Sequence, residues 1–121
     1  GAAMMNPLAS AIRHNLKFSL HSDAPINPID PLRSIWCAVT RKSISGVVHG
    51  PDERISVYDA LKSVTINAAN ILKEEEIKGS IEVGKLADMT ILDKNIFEVE
   101  TDDIPKIKVE ATIKGGDIYK N

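Results

Sequence analysis

Three prolines fall within seven residues, Pro25, Pro28 and Pro31, preceded by Ala24, Asn27 and Asp30. Proline fixes φ, removes a backbone donor and pushes the residue before it out of the helical region, so regular structure cannot span this stretch. The chain must enter and leave it as separate elements. Upstream, Asn6-Pro7 has the form of a helix start, with Asn as an acceptor for orphan N–H groups and Pro at the first helical position. Leu8, Ala11 and Ile12 then form one apolar stripe, which predicts a helix ending near Asn15. Leu16, Phe18 and Leu20 alternate with Lys17 and Ser19, the period of a short strand running into His21-Ser22-Asp23. Downstream, Asp30-Pro31 repeats the capped start, and Leu32, Ile35, Trp36 and Val39 share one face of a helix that fades near Lys42.

Ser43 to Arg54, with Gly46, Gly50 and Pro51, reads as a long loop able to cross an open face of a larger structure. A stronger helix follows. Ser56 caps it, Asp59 is placed to reach back, and Val57, Ala60, Leu61, Val64, Ala68 and Leu72 hold one stripe. Glu74, Glu75 and Glu76 oppose the macrodipole at its end, so fraying is expected there, with a break by Gly79. Beyond Gly79 the pattern is β: Ala87 to Leu92, then Val109, Ala111 and Ile113 alternating with polar residues. Gly115-Gly116 permits a tight reversal into Ile118-Tyr119. Lys94 to Lys106, polar and interrupted by Pro105, shows no element of its own.

Composition narrows the function classes. Fifteen Lys and Arg against 17 Asp and Glu give a formal net charge of −2 over 121 residues, so no broad basic field exists for nucleic acid or an anionic membrane. No apolar run approaches the ~20 residues of a membrane span, and Gly1-Ala2-Ala3-Met4-Met5 has no basic lead of a signal peptide. The single cysteine, Cys37, makes no internal disulfide and fits a reducing compartment, with the cytoplasm as the default.

One carboxylate stands out. Asp23 follows the expected strand, and α/β folds place reacting groups just past strand ends, where the loop is exposed and its root is rigid. An Asx turn before proline accounts for the same residue equally simply. Arg41 is placed either to meet a substrate carboxylate or to cap helix carbonyls, and Cys37 between Trp36 and Ala38 reads as packing. Glu74 to Glu76 read as a solvated face, and Gly79 to Gly84 as a turn without the Lys-Ser/Thr of a phosphate loop. His14, His21 and His49 share no close spacing, although His21 lies near Asp23.

Ser22-Asp23-Ala24-Pro25, Asp30-Pro31, Ala38-Val39-Thr40-Arg41, Glu53-Arg54-Ile55-Ser56 and Thr65-Ile66-Asn67-Ala68-Ala69 together resemble the closing portion of the barrel in metal-dependent amidohydrolases. The branch they resemble is amidohydrolase family 3, with its N-substituted formamide deformylases and exoenzyme regulatory proteins. Gly79 to Asp93, GSIEVGKLADMTILD, is similar to the stretch where that family's chain leaves the barrel for a small β domain. The resemblance implies that Asp23 ends the last barrel strand, binds a divalent metal, zinc by first choice, or its hydroxide, and shuttles a proton. The position before Ser22, usually glycine in this branch, is His21, which alters the pocket surface; His21 and Arg41 are the candidate substrate-pocket residues.

The family's early His-x-His pair does not occur in this sequence, and a complete (β/α)8 barrel takes ~250 residues. The expectation is therefore an α+β fragment: 1–78 as the end of the amidohydrolase barrel, with its last strand and flanking helices, and 79–121 as strands of the composite β domain. The parent would hydrolyse a C–N bond in an amide, formamide or cyclic amide. The fragment alone would be inactive and hold no metal tightly. Its partners would be the missing N-terminal part of the same protein and, through uncovered apolar stripes at Leu8-Ala11-Ile12 and Leu32-Ile35-Val39, which would seek each other or a second chain, another copy in a homo-oligomer or segment-swapped dimer. The rival expectation is a non-enzymatic binding or regulatory module that uses the Ser43 to Arg54 loop as its contact surface.

Overall fold

A computed structural model describes residues 5–22 and 30–121. The expected first helix is present as α1, Leu8–Arg13, but its start is made differently. Asn6 adopts a left-handed φ of 51° and caps nothing with its side chain. The carboxylate of Glu53 takes over that role: the Ser10 N–H donates to Oε2 at 2.8 Å and the Ser10 hydroxyl to Oε1 at 2.6 Å. The strand expected over Leu16 to Leu20 does not form. Its alternation is intact, but a strand exists only by pairing, and no neighbour pairs with it among the described residues.

The second helix, α2, runs Pro31–Thr40 as the sequence predicts. Asp30 Oδ1 accepts from the N–H groups of Leu32 and Arg33 at 3.1 and 3.3 Å, and Arg41 closes the far end in the left-handed region. The segment after it is a loop, as expected, with local contacts of its own. Lys42 bridges Val48, the Ser43 N–H donates to the Val47 carbonyl at 2.8 Å, and a short 3-10 turn spans Pro51–Glu53.

Where one long helix is expected the structure has two, α3 at Val57–Val64 and α4 at Ile66–Ile71, hinged at Thr65. Ser56 caps α3 by accepting from the Asp59 N–H at 3.0 Å, and the Asp59 carboxylate accepts from the Ser56 hydroxyl. At the hinge the Thr65 hydroxyl donates to the Leu61 carbonyl at 2.7 Å and the Ser63 hydroxyl to that of Ala60. Hydroxyls that compete for helix carbonyls bend or break the ladder, which the apolar stripe alone does not reveal. The acidic end of α4 closes rather than frays. Lys73 turns left-handed, the Glu74 N–H reaches the Ala69 carbonyl at 2.9 Å, and Glu74 pairs with Lys78.

The β pattern is realised as an antiparallel sheet in the order β1 (Met89–Leu92), β2 (Val109–Lys114), β3 (Asp117–Lys120). Met89 lies opposite Ile113, and Gly115-Gly116, with φ of 57° and 90°, makes the hairpin reversal. Between β1 and β2 the supposedly featureless loop contains a 3-10 helix, Thr101–Lys106, that buries Ile104 completely. Ile96, Ile104 and Ile107 join Ile35, Ala38, Ile55 and Ala60 in one apolar cluster, so the core draws on residues from both sides of Gly79. Each isoleucine so buried contributes about 1.5–3 kcal/mol. Among the described residues no helix is long and apolar enough to cross a membrane.

Candidate functional site

A cavity of 660 Å3 lies between α1, residues 18–22 and one face of α2. That face follows from helical spacing: Arg33, Ser34, Cys37, Ala38 and Arg41 recur every three or four residues and all line the wall. Leu8, Ala11, Phe18 and Leu20 supply the apolar side.

Asp23 lies outside the described residues. Ser22 and Asp30, the described residues that bracket its segment, both line the cavity, as does His21. Arg41 lines it too, so the two residues singled out for a substrate pocket border one cavity. The Arg41 guanidinium is already committed: Nε donates to the His49 carbonyl at 2.8 Å, Nη1 to that of Asn6 at 2.9 Å, and Nη2 to that of Met5. These contacts tie the start of α1 and the loop after α2 to the end of α2, and they make Arg41 a positioning residue for the cavity's rim.

Sequence reasoning passed over Arg33. Its Nε is buried and has no hydrogen-bond partner among the described residues. The signal was available, since Arg33 and Cys37 stand four apart on a helix whose other face is apolar. Burial pushes the Cys37 thiol above its ordinary pKa, and the nearby positive charge of Arg33 acts in the opposite direction.

The histidines do not converge. His14 follows the end of α1, His49 contributes its carbonyl to Arg41, and only His21 faces the cavity. Among the described residues no group of three or more His, Cys, Asp or Glu side chains could hold a metal ion. Three carboxylates outside the cavity are held below the usual range, Glu82 among them through the Ser80 hydroxyl and Lys85. Ser10 does so for Glu53 through its hydroxyl and N–H, and Lys42 with Trp36 does so for Asp102. The latter two are structural ties between distant parts of the chain.

A sequence model of the amidohydrolase family matches residues 1–119. The N-substituted formamide deformylase of Arthrobacter pascens is 32% identical over 110 residues, which is 91% of this chain and 20% of that protein. The protein YtcJ of Bacillus subtilis (strain 168) is 36% identical over 100 residues, 80% of this chain and 19% of its own length. The chain thus spans about a fifth of the length of these curated relatives. In three dimensions it superposes on an amidohydrolase from Thermotoga maritima MSB8 with a TM-score of 0.71 at 23% identity, covering 94% of this chain and 26% of that one. That likeness extends over both the helices and the sheet. By the extent of the family match, the chain belongs to the amidohydrolase family.

Proposed function

We propose that this chain is the closing part of a metal-dependent hydrolase acting on a C–N bond in an amide, formamide or cyclic amide. Residues 1–78 complete its barrel and 79–121 belong to its composite β domain. The observation that carries the reading is the family match across residues 1–119, supported by a relative named for formamide deformylation. Asp23 is the metal ligand and proton shuttle in this reading, and the cavity lined by Ser22, His21 and Arg41 is part of the substrate pocket.

The described residues do not by themselves make a ligand set, so the other metal ligands come from elsewhere in the parent protein. A divalent metal, zinc by first choice, polarises the scissile carbonyl and lowers the pKa of water when bound. What this chain adds is a rigid cavity wall: α2 fixed by its Asp30 cap and its buried Ile35 face, and the rim held by Arg41. Exposed apolar side chains at Ile71, Leu72, Ile81 and Leu86 are where the rest of the parent packs. In isolation this surface, rather than the expected stripes, whose Leu8, Ile12, Leu32, Ile35 and Val39 pack in or against the core, drives a homo-oligomer or segment-swapped dimer, and the chain alone is inactive.

The test uses the parent reading frame. The purified parent hydrolyses an N-substituted formamide or cyclic amide and carries stoichiometric divalent metal, whereas Asp23→Asn loses turnover by about 10²-fold or more. Unchanged turnover in Asp23→Asn removes the assigned role, and a metal-free parent active on none of these substrates removes the hydrolase reading.

A further inference from the structure

We propose that the 660 Å3 cavity is a binding site for a small monocarboxylate with an apolar body, and that Arg33 holds the carboxylate. Three fully charged side chains line this cavity among the described residues, Asp30, Arg33 and Arg41. Asp30 is committed to the first amides of α2, and Arg41 to three backbone carbonyls. Among the described residues the Arg33 side chain donates no hydrogen bond, and its Nε is buried without an acceptor there. Leaving such a donor unmatched is unfavourable, the more so for a charged group, and an anion in the cavity removes that cost.

The ligand's chemistry follows from what surrounds the guanidinium. A planar fork matches the two oxygens of a carboxylate. A phosphate dianion is disfavoured: among the described residues lining the cavity Arg33 is the single cation whose side chain is not held by backbone carbonyls, Asp30 puts a negative charge three residues away, and the helix amides that would cradle a phosphate already donate to Asp30. Leu8, Ala11, Phe18 and Leu20 on the facing wall suit a hydrocarbon or aromatic body. As a statement about substrate, that the C–N compound carries a carboxylate, this inference rests on the hydrolase reading above. As a statement about binding it does not.

Cys37 is the sole cysteine of the sequence and lines the same cavity one helical turn from Arg33, which gives a site-specific reporter. The rate of its alkylation by iodoacetamide is measured on the 121-residue chain with 4-phenylbutyrate, with the neutral 4-phenylbutyramide, and with inorganic phosphate. The carboxylate slows alkylation in a saturable manner; the amide and phosphate do not. In Arg33→Met the apparent affinity falls about tenfold or more, as loss of a charge-assisted hydrogen bond requires, and Arg33→Lys recovers part of it. Should Arg33→Met fail to fold, as judged by circular dichroism, the carboxylate and amide arms on the unaltered chain decide. Equal protection by both, protection by neither, protection by phosphate alone, or carboxylate protection unchanged in a folded Arg33→Met each overturns the proposal. Because no turnover is read, a parent protein inactive on C–N bonds overturns the functional reading while leaving this site intact, and the reverse outcome separates equally cleanly.

Discussion

The Glu53 carboxylate caps α1 through Ser10, 43 residues before it in the sequence: Ser10 donates both its N–H and its hydroxyl to it, and Arg13 approaches at 3.6 Å. Glu53 is 5% exposed, so little water competes for those donors. Its folded-state pKa is lowered, chiefly by the Ser10 hydroxyl, from an ordinary value near ~4.3. The contribution to stability is therefore complete above that ordinary value and is lost as pH falls through the depressed folded value. Urea unfolding across the acidic range tests this: the unaltered chain loses stability with falling pH, and Glu53→Gln shows a shallower dependence. Identical pH slopes would remove Glu53 from the account. Ser10→Ala destabilises at neutral pH, because one buried carboxylate oxygen loses its hydroxyl donor.

Asp102 ties the 3-10 helix at 101–106 to α2, accepting from Trp36 Nε1 at 3.1 Å and from Lys42 Nζ at 2.8 Å. Its carboxyl is held below the usual range, by Lys42 first and Trp36 second. Trp36 is the single tryptophan, so its fluorescence reports this contact directly. Emission titrates in the acid range with a midpoint below that of an ordinary Asp, about 3.9, and the titration disappears in Asp102→Asn. The sign is that of a depressed carboxylate: the tie is intact above the ordinary value and released as pH falls through the folded one.

The features legible in the sequence are those whose cause lies within a few residues. Asp30 before Pro31, Ser56 before α3 and Gly115-Gly116 between β2 and β3 each act on the adjacent backbone, and each is found where the pattern puts it. Asn6 has the right composition for a cap, but the acceptor that α1 uses is Glu53, which no local reading can supply. Alternation at Leu16, Phe18 and Leu20 is likewise a true statement about side-chain direction, while pairing depends on a neighbour. Ile96, Ile104 and Ile107 were hidden because a 3-10 helix with Pro105 has no amphipathic period to detect. In the cavity, His21 and Arg41 were within reach of sequence because they adjoin recognisable motifs. Arg33 required knowing which face of α2 looks inward.

Gly79 is required by contact as much as by backbone. At φ 98° a Cβ would stand 2.8 Å from the Ala69 Cβ and 3.0 Å from the Ile66 Cα, so the chain beyond α4 folds against that helix only without a side chain. Gly79→Ala costs about 1–3 kcal/mol from the left-handed conformation alone, and the overlap with α4 adds to it. Chemical denaturation measures it. A control at Gly84, with φ 94° and no atom within 4 Å of a built Cβ, isolates the conformational part. Gly79→Ala is the more destabilised of the two, and equality would mean that the approach to α4 relaxes freely.

The apolar cluster makes a sharper demand on how the chain divides. Ile35 and Ala38 of α2 are buried partly by Ile104 and Ile107, so the helical portion ending near residue 78 lacks one wall of its core when taken alone. Ile104 is 0% exposed, and Ile104→Ala therefore costs about 2–5 kcal/mol through lost burial and the cavity left behind. A chain ending at residue 78 loses Ile96, Ile104 and Ile107 together, more burial than a small domain's net stability can absorb. Circular dichroism on that truncated chain shows no cooperative thermal transition, while the 121-residue chain shows one. A cooperative transition in the truncated chain would instead mean that residues 1–78 form a self-sufficient unit, with the sheet and its preceding loop as an appendage.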